Sequence, residues 1–250
     1  AYFTKPHKDR LTLLDILSGG CPRGYLLNEE SLALMKTLRV SDKWIEPLRP
    51  LLKEKIYQET EMTVLLSQLL PSPSVSSPLY KRILEATAIA AFHQQNQTVK
   101  ILICDDAPQF KLLTQDLGLC WVHDGRHYKK LLPLVALHPT ILDAFRQEFW
   151  DYYNKLLQFK KAPTPQLEQE LSDEFDQLYS RQTGYESLDE RILITQSKKM
   201  ELLLVLKHPE IPLHNNASEL AARTAARVRD ISLHLVTDAG LQAQDTRLTL

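Results

Sequence analysis

Residues 99–131, VKILICDDAPQFKLLTQDLGLCWVHDGRHYKKL, decide the fold that we expect for this chain. The stretch opens with a β-branched and apolar run at 99–104, which stops at Asp105 and Asp106. A mostly apolar run of this length, bounded by polar residues, predicts a buried strand. A second short apolar piece follows at residues 119–123. It leads directly into a basic cluster, Arg126, His127, Lys129 and Lys130.

The two acids that follow the predicted strand are the first candidate site residues. A carboxylate at the end of a buried strand is costly unless it has a partner or a metal. In α/β sheets, ligands gather at the carboxyl ends of the strands. Asp105 and Asp106, followed by Pro108, are also typical of the turn that ends a strand. Both interpretations, a site and a turn, stay open at this point.

A Cys-x-x-His pair, Cys120 and His123, follows the second apolar piece. A structural zinc site needs four ligands, and no second pair with zinc spacing occurs nearby. A buried thiol and a core histidine are the alternative. We therefore predict that this pair lies at the end of a strand beside the one that carries Asp105, and that it binds no structural zinc.

Composition and length limit the classes of protein to which this chain can belong. The chain has 250 residues, a formal net charge of −1 and three cysteines. No apolar run approaches the roughly 18 residues of a membrane span, and no signal peptide opens the chain. Sparse cysteines indicate a reducing compartment, so we expect a cytoplasmic protein with no membrane partner. Because the chain starts at Ala1 without Met and stops at Leu250 within an apparent element, we expect a fragment at both ends.

Most of the remaining chain has helical periodicity. Residues 7–78 are helical in pattern and end in a Pro/Ser-rich linker, with Asp9 and Asn28 as N-caps. Residues 79–95 predict a helix buried against a sheet. Residues 138–207 predict helices packed beside the sheet, with the aromatic stripe of 145–159 in the core and Lys198, Lys199 and Lys207 on the exposed side.

The third informative stretch is residues 208–220, HPEIPLHNNASEL. Asn216 is a good N-cap, and Glu219 three positions later fits a capping box. Glu219 can therefore be a cap alone, with a contribution of roughly 1 kcal/mol. Arg223 and Arg227 follow one turn apart on one helix face, and Arg229 comes next. A carboxylate beside guanidinium groups also suits a site that handles both a cation and phosphate.

These motifs, in this order, resemble the DDE transposases of bacterial insertion sequences. The most similar type is the sixty-six type, whose motifs read Cys-Trp-Ala-His-x-Arg-Arg and Asp-Asn-Asn-x-x-Glu-Arg-x-x-Arg. The first motif is matched by Cys120, Trp121 and His123, and the second by Asn215, Asn216, Glu219 and Arg223. The chain departs from the second motif at His214, where the family has Asp, and at Leu220, where it has Arg.

The resemblance implies a ribonuclease-H-like core in which three acids hold two divalent metal ions, Mg²⁺ or Mn²⁺. Carried over, Asp105 is the second acid, with Asp106 as the alternative, and Glu219 is the third. Asp105 and Glu219 would be the metal ligands and should lie close enough to share a metal. The first Asp is expected upstream of Ala1. Two metal ions about 3.5–4 Å apart activate a nucleophile and stabilise the leaving oxygen of a phosphodiester.

We therefore expect an α/β protein, helix-rich overall, with a ribonuclease-H-like mixed sheet. The predicted core comprises residues 1–6, 79–137 and 208–250. Helical insertions occupy residues 7–78, including the linker, and residues 138–207. Self-association is expected of the full-length protein.

The expected function is DNA transposition: metal-dependent strand cleavage and strand transfer on transposon ends and target DNA. The alternatives are a catalytically inert transposase remnant that binds DNA or protein, and a helical scaffold unrelated to DNA. Without the first Asp, this chain should bind DNA weakly and in a strongly salt-dependent way but should not cleave it. The predicted DNA contacts are Arg126, Lys129, Lys130, Arg223, Arg227 and Arg229.

Overall fold

The computed structural model describes residues 9–69, 77–95, 99–216, 239–240 and 246. The predicted core residues 1–6 and the site candidates Glu219, Arg223, Arg227 and Arg229 lie outside these residues. The chain divides into two compact units. Unit 1 comprises residues 1–100, 108–115 and 228–250, and unit 2 comprises residues 101–107 and 116–227.

Unit 1 is mainly helical. Its described elements are α1 (Arg10–Leu17), β1 (Tyr25–Leu26), α2 (Glu29–Thr37), α3 (Asp42–Ile45), a 3₁₀ helix at Glu46–Leu51, β2 (Ile56–Tyr57), α4 (Glu59–Leu69) and α5 (Pro78–Gln95). The short strands β1 and β2 pair antiparallel, so the segment 7–78, which the sequence predicts to be helical in pattern, also contains a small strand pair. Two residues per strand are too few to produce a periodic signal, and Tyr25 and Leu26 are buried mainly by packing on α5.

The two N-caps predicted in unit 1 are confirmed. The side chain of Asp9 accepts a hydrogen bond from the Thr12 backbone N at 2.9 Å, which begins α1. Asn28 begins α2 in a capping box: its side chain accepts from the Ser31 backbone N, and Ser31 Oγ accepts from the Asn28 backbone N. Each cap satisfies amide donors that have no partner within the helix, and so fixes where the helix starts.

Helix α5 is the core of unit 1, as its apolar sequence predicts. Its buried residues occupy several faces, and small alanines allow β1 and α2 to pack close to it. A buried ion pair between Glu85 on α5 and Arg10 on α1 joins these helices. The Arg10 guanidinium also donates to the carbonyl oxygens of Pro108 at 2.8 Å and Lys111 at 3.1 Å, so segment 108–115 is held to unit 1.

Unit 2 begins with a parallel pair of strands, β3 (Ile101–Cys104) and β4 (Asp116–Leu119). The register places Cys104 beside Leu119, so both strands end at the same edge. The strand predicted at 99–104 is thus confirmed, as is the position of Cys120 directly after a neighbouring strand. His123 instead lies in the first turn of a helix, α6 (Trp121–Lys129), which the sequence analysis did not anticipate.

The segment 138–207 is helical, as predicted, and none of its residues forms a strand. Its helices are α7 (His138–Phe159), α8 (Pro165–Tyr179), α9 (Glu186–Gln196), α10 (Lys199–Leu202) and α11 (Leu204–Lys207). Helices α10 and α11 pack against β4, beside the strand pair rather than within it. Whether this segment and residues 7–78 are insertions in one catalytic domain stays a prediction. No helix among the described residues is long and apolar enough to cross a membrane.

Trp121 lies at the centre of the unit 2 core and is fully buried. Its ring centroid lies 5.5 Å from those of Phe149 and Tyr152 on α7, so the aromatic stripe of α7 is core, as predicted. The indole Nε1 donates a 2.8 Å hydrogen bond to the carbonyl oxygen of Leu202 on α10. One side chain therefore joins α6, α7 and α10.

Replacing Trp121 with Phe should destabilise the protein by about 2–4 kcal/mol, because it leaves a cavity and a buried carbonyl without its donor. Urea unfolding monitored by circular dichroism measures this loss. Trp150→Phe, at a half-buried position of α7, is the control and should cost clearly less. Equal losses in the two variants would contradict the central role of Trp121.

Candidate active site

The two acids form a turn directly after β3, which we call the acid turn (residues 105–107). Asp105 Oδ1 accepts a 3.2 Å hydrogen bond from the Ala107 backbone N, as in an Asx turn. Asp106 Oδ2 lies 2.6 Å from Lys198 Nζ. Both acids are half-buried. Asp105 and Asp106 thus form the turn that the sequence suggested. This turn also places two carboxylates at the carboxyl end of β3.

Lys198 is the residue of this region that the sequence analysis misplaced. Its side chain is only 14% exposed, whereas the sequence placed it on a solvent-facing helix surface. The reason is a break in the helix: α9 ends at Gln196, and α10 does not start until Lys199. The helical period used for the prediction does not continue across residues 197–198. The break turns Lys198 toward the acid turn.

The end of β4 brings a second predicted motif to the same edge. The Cys120 backbone N donates to the carbonyl oxygen of Cys104 at 2.9 Å. The next amide, Trp121 N, donates to the carbonyl oxygen of Leu213, also at 2.9 Å. Leu213 is buried and immediately precedes His214, Asn215 and Asn216. The segment that leads to Glu219 therefore passes the carboxyl ends of β3 and β4.

The donors of the acid turn suit a hard cation. Mg²⁺ prefers carboxylate oxygens and keeps several waters, so Asp105 and Asp106 are of the right chemical type. Across the described ranges, no group of three or more His, Cys, Asp or Glu residues is placed to hold a metal ion. Glu219, the further carboxylate that the sequence proposes, lies outside those ranges. The absence of zinc at Cys120 and His123 stays a prediction.

The first basic cluster follows on α6. Lys129 and Lys130 are exposed, and Arg126 is half-buried. Lys129 is eight residues along α6 from Trp121, or about 12 Å at the rise of an α-helix. Lys129 and Lys130 are thus separated from the strand ends by the length of the helix and lie at its C-terminus, where positive charge is favourable.

A buried polar network on α6 was not anticipated. Asp124 pairs with Arg191 of α9, and it also accepts a 2.8 Å hydrogen bond from Thr195 Oγ1. Tyr128 OH lies 2.6 Å from Thr195 Oγ1, and burial raises the pKa of Tyr128 above its usual range. The spacing of Trp121, Asp124 and Tyr128 along one buried face is the signal that could have revealed this network.

Gly125 explains how α6 lies so close to α7. A Cβ atom at Gly125 would come within 2.9 Å of both Phe149 Cε1 and Trp150 Cζ2. Contacts that short force neighbouring atoms to move, so a larger side chain does not fit without a shift of α7. The glycine therefore allows the close approach of α6 to α7.

Removing Arg191 should destabilise the protein strongly, because it leaves the Asp124 carboxylate buried without its counter-charge. We expect Arg191→Met to lower the free energy of unfolding by about 3–5 kcal/mol, measured by urea titration. The double variant Asp124→Asn/Arg191→Met should recover part of this loss. Lys155→Met, which breaks the more exposed ion pair with Glu174, is the control and should cost at most about 1 kcal/mol. A small effect of Arg191→Met would contradict the network.

Comparisons with known proteins agree with the resemblance seen in the sequence. A family model described as "Transposase IS66 family" matches residues 84–243. A protein of Sinorhizobium fredii (strain NBRC 101917 / NGR234), called "Uncharacterized protein y4jO", is 37% identical over 150 residues, which are 60% of this chain and 46% of that protein. The matched region thus spans about half the length of this relative. No solved structure matches the chain significantly.

The family match covers α5, the strand pair, the acid turn, α6, the helical segment 138–207 and the residues around Glu219. It therefore includes both regions from which the candidate acids come, and it extends over more than half of the chain. The chain belongs to the IS66 family of transposases.

Proposed function

We propose that this chain carries part of the catalytic core of a DNA transposase, which cuts and joins DNA strands of an insertion sequence by metal-dependent chemistry. The proposal rests on one observation: the acid turn and the segment that leads to Glu219 meet at the same edge of the strand pair, the carboxyl ends of β3 and β4. The acid turn follows β3 directly, and the segment ending in Asn216 passes the end of β4 through the Leu213 contact. Glu219 follows Asn216 by three positions. This arrangement supports a ribonuclease-H-like core.

In this proposal Asp105 and Glu219 hold the metal. Mg²⁺ or Mn²⁺, when bound, would supply Lewis-acid stabilisation of the phosphodiester and a more acidic nucleophile. Asp105 is oriented for this by the Ala107 amide, which fixes one of its carboxylate oxygens. The burial of Cys104 and Leu119 anchors the strand ends, so the acids project from a rigid support.

The basic residues would contact the phosphates of transposon ends and target DNA. Lys129 and Lys130 are exposed and available for such contacts, and Arg126 is adjacent on the same helix. Because phosphate neutralisation releases counterions, DNA binding should weaken steeply as salt is raised. Arg223, Arg227 and Arg229 are proposed as a second set on sequence grounds. Self-association is proposed for the full-length protein.

A second candidate is an inert transposase remnant that binds DNA or protein without cleaving DNA. The ion pair between Asp106 and Lys198 favours this second candidate, because one of the two carboxylates of the acid turn is already paired with an ammonium group. In that case Asp105 would serve only to form the turn. The two candidates differ in one respect, namely whether the carboxylate of Asp105 is needed for activity.

Transposition of the complete insertion sequence tests the proposal. Asp105→Asn and Glu219→Gln should each reduce transposition in cells to background, because each removes a metal ligand but nearly preserves side-chain shape. Asp143→Asn, an exposed acid of α7, is the matched control and should transpose like the wild type. Full transposition by the Asp105→Asn variant would refute the proposed role of Asp105. Failure of the wild-type protein to transpose, with salt-dependent DNA binding retained, would favour the inert module.

A further inference from the structure

Lys198 and Asp106 form an ion pair that joins the helical segment 138–207 to the acid turn. Their charged atoms, Nζ and Oδ2, lie 2.6 Å apart, and the side chains are 14% and 35% exposed. We propose that Lys198 competes with a divalent cation for the Asp106 carboxylate and thereby leaves Asp105 as the metal-binding acid of the turn. This inference rests on the proposed function, because it requires metal binding at the acid turn.

The backbone of Lys198 is fixed by hydrogen bonds on both sides of the helix break. The Lys198 amide donates to the carbonyl oxygen of Thr195 at 3.0 Å, which closes the last turn of α9. Its own carbonyl accepts from the Leu202 amide at 2.9 Å, which begins α10. Lys198 is thus held at both sides by hydrogen bonds. Its largely buried ammonium needs a counter-charge, because an unpaired buried charge is strongly unfavourable.

Electrostatics gives the direction of the effect on metal binding. With Lys198 in place, the ammonium offsets the charge of the Asp106 carboxylate. Removing Lys198 takes this positive charge away from two carboxylates on adjacent residues, which then attract a divalent cation more strongly in this partly desolvated position. It also breaks the ion pair of Asp106 Oδ2, so that this atom can contact the cation. A lysine that only stabilised the fold would have the opposite consequence, because its loss would loosen the turn and weaken metal binding.

The chain supplies a closely matched control in the next residue. Lys199 Nζ forms an ion pair of 2.7 Å with Asp176 Oδ2 on α8 and also donates to the carbonyl oxygen of Ser172. Lys199→Met therefore removes the same charge and breaks an ion pair of similar length. Its partners lie on α8 rather than in the acid turn.

The test measures Mn²⁺ affinity of the purified chain at neutral pH, with free Mn²⁺ determined by electron paramagnetic resonance. Lys198→Met should bind Mn²⁺ about threefold to tenfold more tightly than the wild type, whereas Lys199→Met should bind like the wild type. The gain should disappear in Lys198→Met/Asp106→Asn. Lys198→Arg, which keeps the charge, should restore an affinity close to that of the wild type. Thermal unfolding of each variant shows that it is folded.

The double variant Lys198→Met/Asp106→Asn removes both charges of the ion pair and so leaves the net charge of the region unchanged. If Lys198 already occupies Asp106, this variant should keep the Mn²⁺ affinity of the wild type, and Asp105→Asn should lose it. Loss of Mn²⁺ binding in the double variant would overturn the inference, as would weaker or unchanged binding in a folded Lys198→Met variant. If neither the wild type nor Lys198→Met binds Mn²⁺, then metal binding at the acid turn, and with it the proposed function, fails.

Discussion

The burial of Trp121 immediately after β4 is the constraint on which unit 2 depends. Its indole packs against α7 and donates to the Leu202 carbonyl of α10, while its backbone amide donates to Leu213. One residue thus fixes the start of α6, two helices of the segment 138–207 and the approach to Asn216. Because Cys120 at the same point donates to Cys104, the acid turn also depends on this junction.

Much of the fold could be predicted because its signals are local. The strand at 99–104 has an uninterrupted apolar run, and the aromatic residues of α7 repeat with helical spacing. Helix α6 was missed because its buried face includes Asp124 and Gly125, which do not look like core residues. Lys198 was misplaced because a helical period was continued through a break. The partners of Asp124 and Asp106 lie far away in sequence, and no local pattern identifies them.

Two ion pairs within unit 2 have the same organisation. In each, an acid near the strand pair meets a cation from the helical segment: Asp124 with Arg191, and Asp106 with Lys198. The first is largely buried and joins α6 to α9. The second is more exposed and lies beside Asp105, a proposed metal ligand. Breaking the contact between Asp106 and Lys198 therefore costs less free energy than breaking the first pair. The helical segment therefore supports the strand pair and also places a positive charge beside the acid turn.

The most direct test of this account is to locate the metal on the chain. Fe²⁺ can replace Mg²⁺ at such sites, and with peroxide and ascorbate it cuts the backbone next to where it is bound. We predict cuts near Asp105 and near Glu219, both suppressed by excess Mg²⁺ and both lost in Asp105→Asn. Cuts confined to other segments, or cuts at Asp105 without any near Glu219, would contradict a metal site shared by the two acids.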